Sequence, residues 1–284
     1  MRARVNQTRM MKTVPELVKR ILSAVIAAPV FLFVTWLGGW YFTVGLVLIT
    51  VVIQVEIISM LSRQELATRK VMAVLLGVPV VLMAVIPQTA WMLFLAVLLL
   101  VLVTETFRDH ADGWKHLLTT ILVAVMIPAL ISGLIILRDV GDDRTGFILA
   151  FTLLVMIWTN DTFAYFGGKS MGKHKLAPKI SPAKTVEGFV WGFFGSFLAL
   201  GLCMHFIPAY PLSLGAALPF AVIAGLFGPA GDLAESKLKR ASGIKDSSGL
   251  MPGHGGLYDR FDAILFSAPA AAVYFYALIY FELL

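Results

Sequence analysis

"RILSAVIAAPVFLFVTWLGGWYFTVGLVLITVVIQVEIISM", residues 20–60, contains no charged side chain between Arg20 and Glu56. It divides into two apolar runs, 20–38 and 41–60, each close to the ~20 residues that carry a helix across a bilayer. The same reading along the chain marks seven further runs, at 71–87, 88–105, 116–137, 147–167, 186–207, 213–235 and 261–281. Nine membrane spans are therefore predicted. The third and fourth are divided only by Pro87-Gln88-Thr89, a tight-turn signal, and a re-entrant pair is the alternative there.

Composition points the same way. Of 284 residues, 59% are hydrophobic and 14% charged, and mean hydropathy is +0.86. Soluble domains carry about 25% charged residues, so this chain lacks the polar surface to face water all round. The expected fold class is an all-α polytopic membrane protein. Residues 1–137 would form spans one to five and 138–284 spans six to nine, with cytoplasmic loops at 168–185 and 236–260. The first fifteen residues, "MRARVNQTRMMKTVP", precede an apolar run longer than a cleavable signal core of about 7–15 residues, so an uncleaved first span is expected. The single cysteine, Cys203, lies in an apolar run and offers no disulfide framework.

With the N-terminus inside, the cytoplasmic pieces are 1–20, 61–70, 106–115, 168–185 and 236–260. They hold all but two, Arg138 and Arg144, of the 23 Lys and Arg residues. That asymmetry is the positive-inside pattern. The net charge of +6 thus reports topology and an anionic membrane surface, not nucleic acid. An odd number of spans leaves the C-terminus outside.

Ionisable groups inside the spans are few, and Glu56, Asp161, Asp232 and Glu235 stand out. A carboxylate in a membrane helix costs several kcal/mol unless paired or wetted, so each is a functional candidate. Glu56 has an equally good structural reading, pairing with Arg63 or Lys70. Asp161 lies in "WTNDTFAYFGG", where four consecutive polar residues interrupt the sixth span and Tyr165 follows on the same helical face. A helix–helix hydrogen-bonding patch is the plainer alternative.

The loop "GGKSMGKHKLAPKISPAKTVEG", 167–188, alternates lysines with glycines and prolines. Ser181-Pro182 reads as N-cap and first residue of the seventh span, which would put Lys184 in its first turn. A helix N-terminus with a lysine beside it suits an anion such as phosphate; a cap plus a topology-setting lysine explains the segment equally well. In "GDLAESKLKR", residues Asp232, Glu235, Ser236, Lys239 and Arg240 fall on one helical face, which must look into protein or a wet cavity. Beyond them Lys245, Asp246, His254, Asp259, Arg260 and Asp262 are threaded through Gly249, Gly253, Gly255 and Gly256. His254 could hydrogen-bond structurally, meet a phosphate or act as a general acid. Carboxylates without cysteines suit a hard cation such as Mg²⁺, and the basic residues beside them suit phosphates. Together they make an electrostatic clamp for phosphoryl or nucleotidyl transfer.

At these residues the sequence resembles the phosphatidate cytidylyltransferase (CDP-diacylglycerol synthase) family. The signature Ser-x-x-Lys-Arg, then Lys-Asp, then Pro-x-His-Gly-Gly-x-x-Asp-Arg-x-Asp is met by Ser236, Lys239, Arg240, Lys245, Asp246, Pro252, His254, Gly255, Gly256, Asp259, Arg260 and Asp262. Asp161 with "AYFGG" (164–168), "GKHKLAPKISP" (172–182), Lys184-Thr185 and Glu187-Gly188 match upstream elements. The similarity is strong over about 158–262. Val186, Met251 and Ala263 depart from the family's usual Trp, Leu or Ile, and Ser, and none of these changes removes a charged group.

The resemblance implies that CTP and phosphatidate give CDP-diacylglycerol and pyrophosphate. It also implies a polar cavity open to the cytoplasm and to lipid, and a homodimer; the short single-domain form with basic cytoplasmic loops suits a bacterial inner membrane. By the same resemblance Asp232 and Asp259 would hold Mg²⁺, alone or with a second, monovalent or divalent cation, while Asp246 and Asp262 would hold it or orient basic groups. Lys239, Arg240, Lys245 and Arg260 would hold phosphates, with Ser236 donating a hydrogen bond. Lys184 and the helix start at Ser181 would take the other polyanion, and Asp161 and Glu187 would shape the cavity or meet nucleotide. Two rivals stand beside this reading. A CTP-dependent lipid kinase would leave no cytidine on lipid, and a transporter would place its polar sites near the midplane rather than at one face.

Overall fold

The computed structural model describes residues 16–66, 68–108, 113–251 and 255–283. Among these residues nine helices follow one another: α1 (Glu16–Leu37), α2 (Gly39–Ser62), α3 (Lys70–Leu82), α4 (Pro87–Thr106), α5 (Gly113–Arg138), α6 (Asp143–Met171), α7 (Val186–Phe206), α8 (Leu214–Ala241) and α9 (Tyr258–Tyr280). Each falls on one of the nine apolar runs. Seven of them, α2 and α4 to α9, are long and apolar enough to cross a membrane. Of the other two, α1 runs 22 residues, with Val25–Leu37 its apolar stretch among the residues whose side chains are described, and α3 runs only 13. At 1.5 Å per residue α3 reaches about 20 Å, against about 30 Å of hydrocarbon. Length and composition thus mark seven full crossings among the described residues.

Two local readings are corrected. The chain leaves α3 through Met83–Ile86, and Pro87 opens α4. Proline suits that first helical position because its missing N–H has no partner there anyway, so it starts a helix instead of making the turn. Ser181 does not cap α7. Residues Ser181–Thr185 form strand β2, antiparallel to β1 (Lys175–Ala177), with Ala177 opposite Ser181 and Lys175 opposite Thr185. The cap is Thr185, whose hydroxyl accepts from the Gly188 N–H at 3.1 Å. Lys184 therefore sits on the strand before the helix, not in its first turn.

The core runs through α2, α5, α6, α8 and α9, with Leu46, Ile57, Leu134, Leu153, Phe220 and Phe275 buried. Phe220 of α8 meets Phe275 of α9 edge to face at 5.0 Å. By contrast α4 buries only Ala90 and Val101 among its described residues and presents an apolar flank suited to lipid. At one end of the bundle Arg138, 2% exposed, donates to the Thr35 and Trp36 carbonyls at 2.8 and 3.2 Å and pairs with Asp143 at 2.7 Å. It staples α1, α5 and α6 together. The opposite end collects the hairpin, the start of α7, the end of α8, loop residues 242–251 and 255–257, the start of α9 and the end of α2.

Candidate active site

The site forms where α8 and α9 nearly touch. A Cβ on Gly231 would stand 2.2 Å from the Asp262 carbonyl oxygen, so only glycine permits this approach. Directly beyond it, Asp232 and Glu235 of α8 and Asp262 of α9 converge, with ligand atoms within 4.8 Å of one another. The expected helical face of α8 is present. Glu235, Ser236 and Lys239 are buried, and Asp232 is partly open. Ser236 donates to Asp232 at 3.3 Å.

Two lysines answer the carboxylates. Lys184, from the end of β2, ion-pairs with Asp232. Lys239 bridges Glu235 and Asp259, each at 2.6 Å. Asp259 is fully engaged: its other oxygen accepts from the Ser247 N–H at 2.9 Å, the Ser247 hydroxyl at 2.7 Å and the Gly256 N–H at 2.7 Å. The acids whose ligand atoms converge are accordingly Asp232, Glu235 and Asp262, while Asp259 is turned to Lys239 and the loop. Asp259 and Asp262 lie three residues apart, and the first turn of α9 directs the earlier one to the loop.

A cation fits this set. Glu235 is 1% exposed, and its Oε1 has no hydrogen-bond partner among the described residues. A buried carboxylate oxygen left unpaired is costly. Three oxygen-bearing acids with no cysteine or histidine among them make a donor set for a hard ion.

Asp161 joins two hollows. One, of about 390 Å³, is lined by Asn160, Asp161, Tyr165, Lys184, Thr185 and Asp232 among others. The second, of about 490 Å³, is mainly apolar, with Phe31 and Val34 of α1, Leu46 and Ile49 of α2 and Ile264 of α9 on its walls. Its polar lining includes Asp161, Asp259, Arg260 and Asp262. A charged hollow and a greasy one thus share Asp161 as a wall.

Other expected residues lie apart from the cluster. Arg240 is exposed and donates to the Ile244 carbonyl at 2.9 Å, closing the end of α8. Lys245 and Asp246 are exposed on the loop. Ser181 is half-buried in the hairpin. Glu187 accepts from the Lys173 and His174 N–H groups at 3.0 and 3.2 Å and meets His174 Nδ1 at 2.6 Å. These bonds fix the hairpin to α7. Pro252 and His254 lie outside the described residues. Glu235, which stood out in the sequence only as a membrane carboxylate, is a full member of the cluster. Ser247 gave no sequence signal beyond its place in the loop.

The fold and site define a polytopic membrane protein with a charged chamber and an acidic cluster that could hold a metal ion. The chain belongs to the cytidylyltransferase family, whose profile matches residues 18–278. It is 36% identical over 266 residues to a phosphatidate cytidylyltransferase of Bacillus subtilis, covering 88% of this chain and 94% of that protein. It is 34% identical over 255 residues to one of Staphylococcus saprophyticus, covering 88% and 95%. A 115-residue stretch, 40% of this chain and 44% of the relative, is 48% identical to one of Staphylococcus aureus.

Proposed function

We propose that this chain transfers the cytidylyl group of CTP to phosphatidate, giving CDP-diacylglycerol and pyrophosphate. The observation that carries the reading is Asp161, the side chain shared by the chamber that holds Lys184 and Asp232 and by the apolar cleft. A polar nucleotide and an amphiphilic acceptor need such a pair of hollows.

A phosphate oxygen of phosphatidate attacks the α-phosphorus of CTP. The bond from that phosphorus to the oxygen bridging to the β-phosphate breaks, and pyrophosphate leaves with the electron pair. A phosphomonoester is already charged at about −1.5 to −2 near neutral pH, so no strong general base is required. The obstacle is repulsion between two polyanions, and fixed cationic groups and alignment remove it. Asp232, Glu235 and Asp262 would hold Mg²⁺, which when bound neutralises phosphate charge and polarises the reacting phosphorus. Lys184 reaches the chamber from the hairpin and takes phosphate oxygens. Lys239 keeps Glu235 and Asp259 in register, Ser236 steadies Asp232, and Arg260 stands where the headgroup would meet the cleft. Residues 138–284 carry these groups and 1–137 support them. The protein acts in a bacterial inner membrane as a homodimer, with its N-terminus and this end of the bundle in the cytoplasm.

The test is purified protein in detergent with phosphatidate, Mg²⁺ and CTP labelled separately on the α- and γ-phosphates. The α-label is expected in lipid, with the γ-label released as pyrophosphate. γ-Label in lipid would make the chain a lipid kinase, and transfer of neither would defeat both enzyme readings.

A further inference from the structure

Helix α9 begins without a cap of its own. Its N-cap is Leu257, whose side chain offers no acceptor, yet the first helical N–H groups need partners. They find one on another helix. Glu56 of α2, 5% exposed, accepts from the Leu257 N–H at 2.9 Å on one oxygen and from the Tyr258 N–H at 2.7 Å on the other. The Ser248 and Ser247 hydroxyls complete its shell at 2.6 and 3.1 Å. Neither Arg63 nor Lys70, the partners the sequence suggested, forms an ion pair with it among the described residues. A carboxylate at a helix N-terminus is favourably placed against the helix dipole.

The contact leads straight to the site. Ser247 has one hydroxyl proton, and it lies between Glu56 and Asp259. Asp259 pairs with Lys239, and Lys239 with Glu235. Asp262 rides one turn further along the helix that Glu56 caps. The fit leaves no room for slack: a Cβ on Gly256 would stand 2.0 Å from the Ser247 oxygen and 2.4 Å from Glu56 Oε1.

We propose that Glu56 is a positioning residue for cytidylyl transfer, fixing the start of α9 and with it Asp259 and Asp262. This rests on the function proposed above. The decisive variant is Glu56→Gln, which keeps size but replaces one acceptor oxygen by an amide nitrogen facing a backbone N–H. The assay is α-labelled CTP transfer in detergent, with kcat and both KM values separated, beside thermal unfolding and trypsin cleavage after Lys245. The expected result is a kcat loss of about tenfold or more, KM values within about threefold, faster cleavage of the loop, and a folded protein. Ser248→Ala, which removes one hydroxyl without altering the buried carboxylate, is expected to lower kcat about two- to threefold in the same pattern and serves if Glu56→Gln does not fold. Unchanged kcat in the folded variants would overturn the inference, as would activity lost only in proportion to unfolded protein. Wild-type protein that transfers no α-label would instead sink the proposed reaction.

Discussion

Replacing Gly231 with alanine tests the geometry of the site most directly. The added carbon would stand 2.2 Å from the Asp262 carbonyl oxygen and 3.2 Å from Ala263 Cα. Close carbon–oxygen contacts settle near 3.3–3.6 Å, so the two helices must separate by roughly 1 Å or one must rotate. Overpacking of this kind costs about 1–3 kcal/mol in stability. The larger effect falls on chemistry, because Asp232 and Glu235 move away from Asp262. A misplacement of about 1 Å can cost about a hundredfold in rate, equal to about 2.7 kcal/mol in the barrier. The assay is transfer of α-label from CTP to lipid, normalised to folded protein, with thermal unfolding measured in the same detergent. Gly201→Ala on α7, where an added Cβ meets nothing within 4 Å, is the control and should be neutral or slightly stabilising. Gly231→Ala with near-normal turnover would refute the claim that contact between α8 and α9 sets the cluster.

Further outcomes follow from named contacts. Asp232→Asn should lower turnover by about a hundredfold or more while the protein stays folded; a near-normal rate would remove Asp232 from the machinery. Lys239→Met should destabilise the bundle by about 3–5 kcal/mol, because Glu235 and Asp259 lose the cation they share, and thermal unfolding reads this out. Arg138→Gln, at the far end, should lower the unfolding temperature through loss of charged hydrogen bonds worth about 1.5–3 kcal/mol each. Its kcat per folded molecule should match wild type.

The helices were legible because apolar runs of the right length have few alternatives, and all nine runs became helices. What hydropathy did not reveal was reach: α3 stops at Leu82 although apolar residues continue to Ile86. The Ser181-Pro182 pair carries the same local signal at a helix start as on an edge strand, and pairing with β1 decided for the strand. On α8 the spacing of Asp232, Glu235, Ser236 and Lys239 foretold a shared face, since that pattern depends only on helix geometry. Choosing between Asp259 and Asp262 required the path of the loop, which spacing does not encode. Glu56 was opaque for the same reason: its partners lie about two hundred residues away, and no local pattern points to them.

Asp161, shared by the two hollows, also bears on how the reaction should be measured. An amphiphile held there keeps its chains among apolar residues while its charged group enters the chamber, so acceptor and product need never dissolve in water. Acceptor supply then follows the mole fraction of phosphatidate in the surrounding film rather than its bulk molarity. Adding inert detergent or lipid at fixed phosphatidate should slow turnover by surface dilution, while the dependence on CTP keeps its ordinary three-dimensional form.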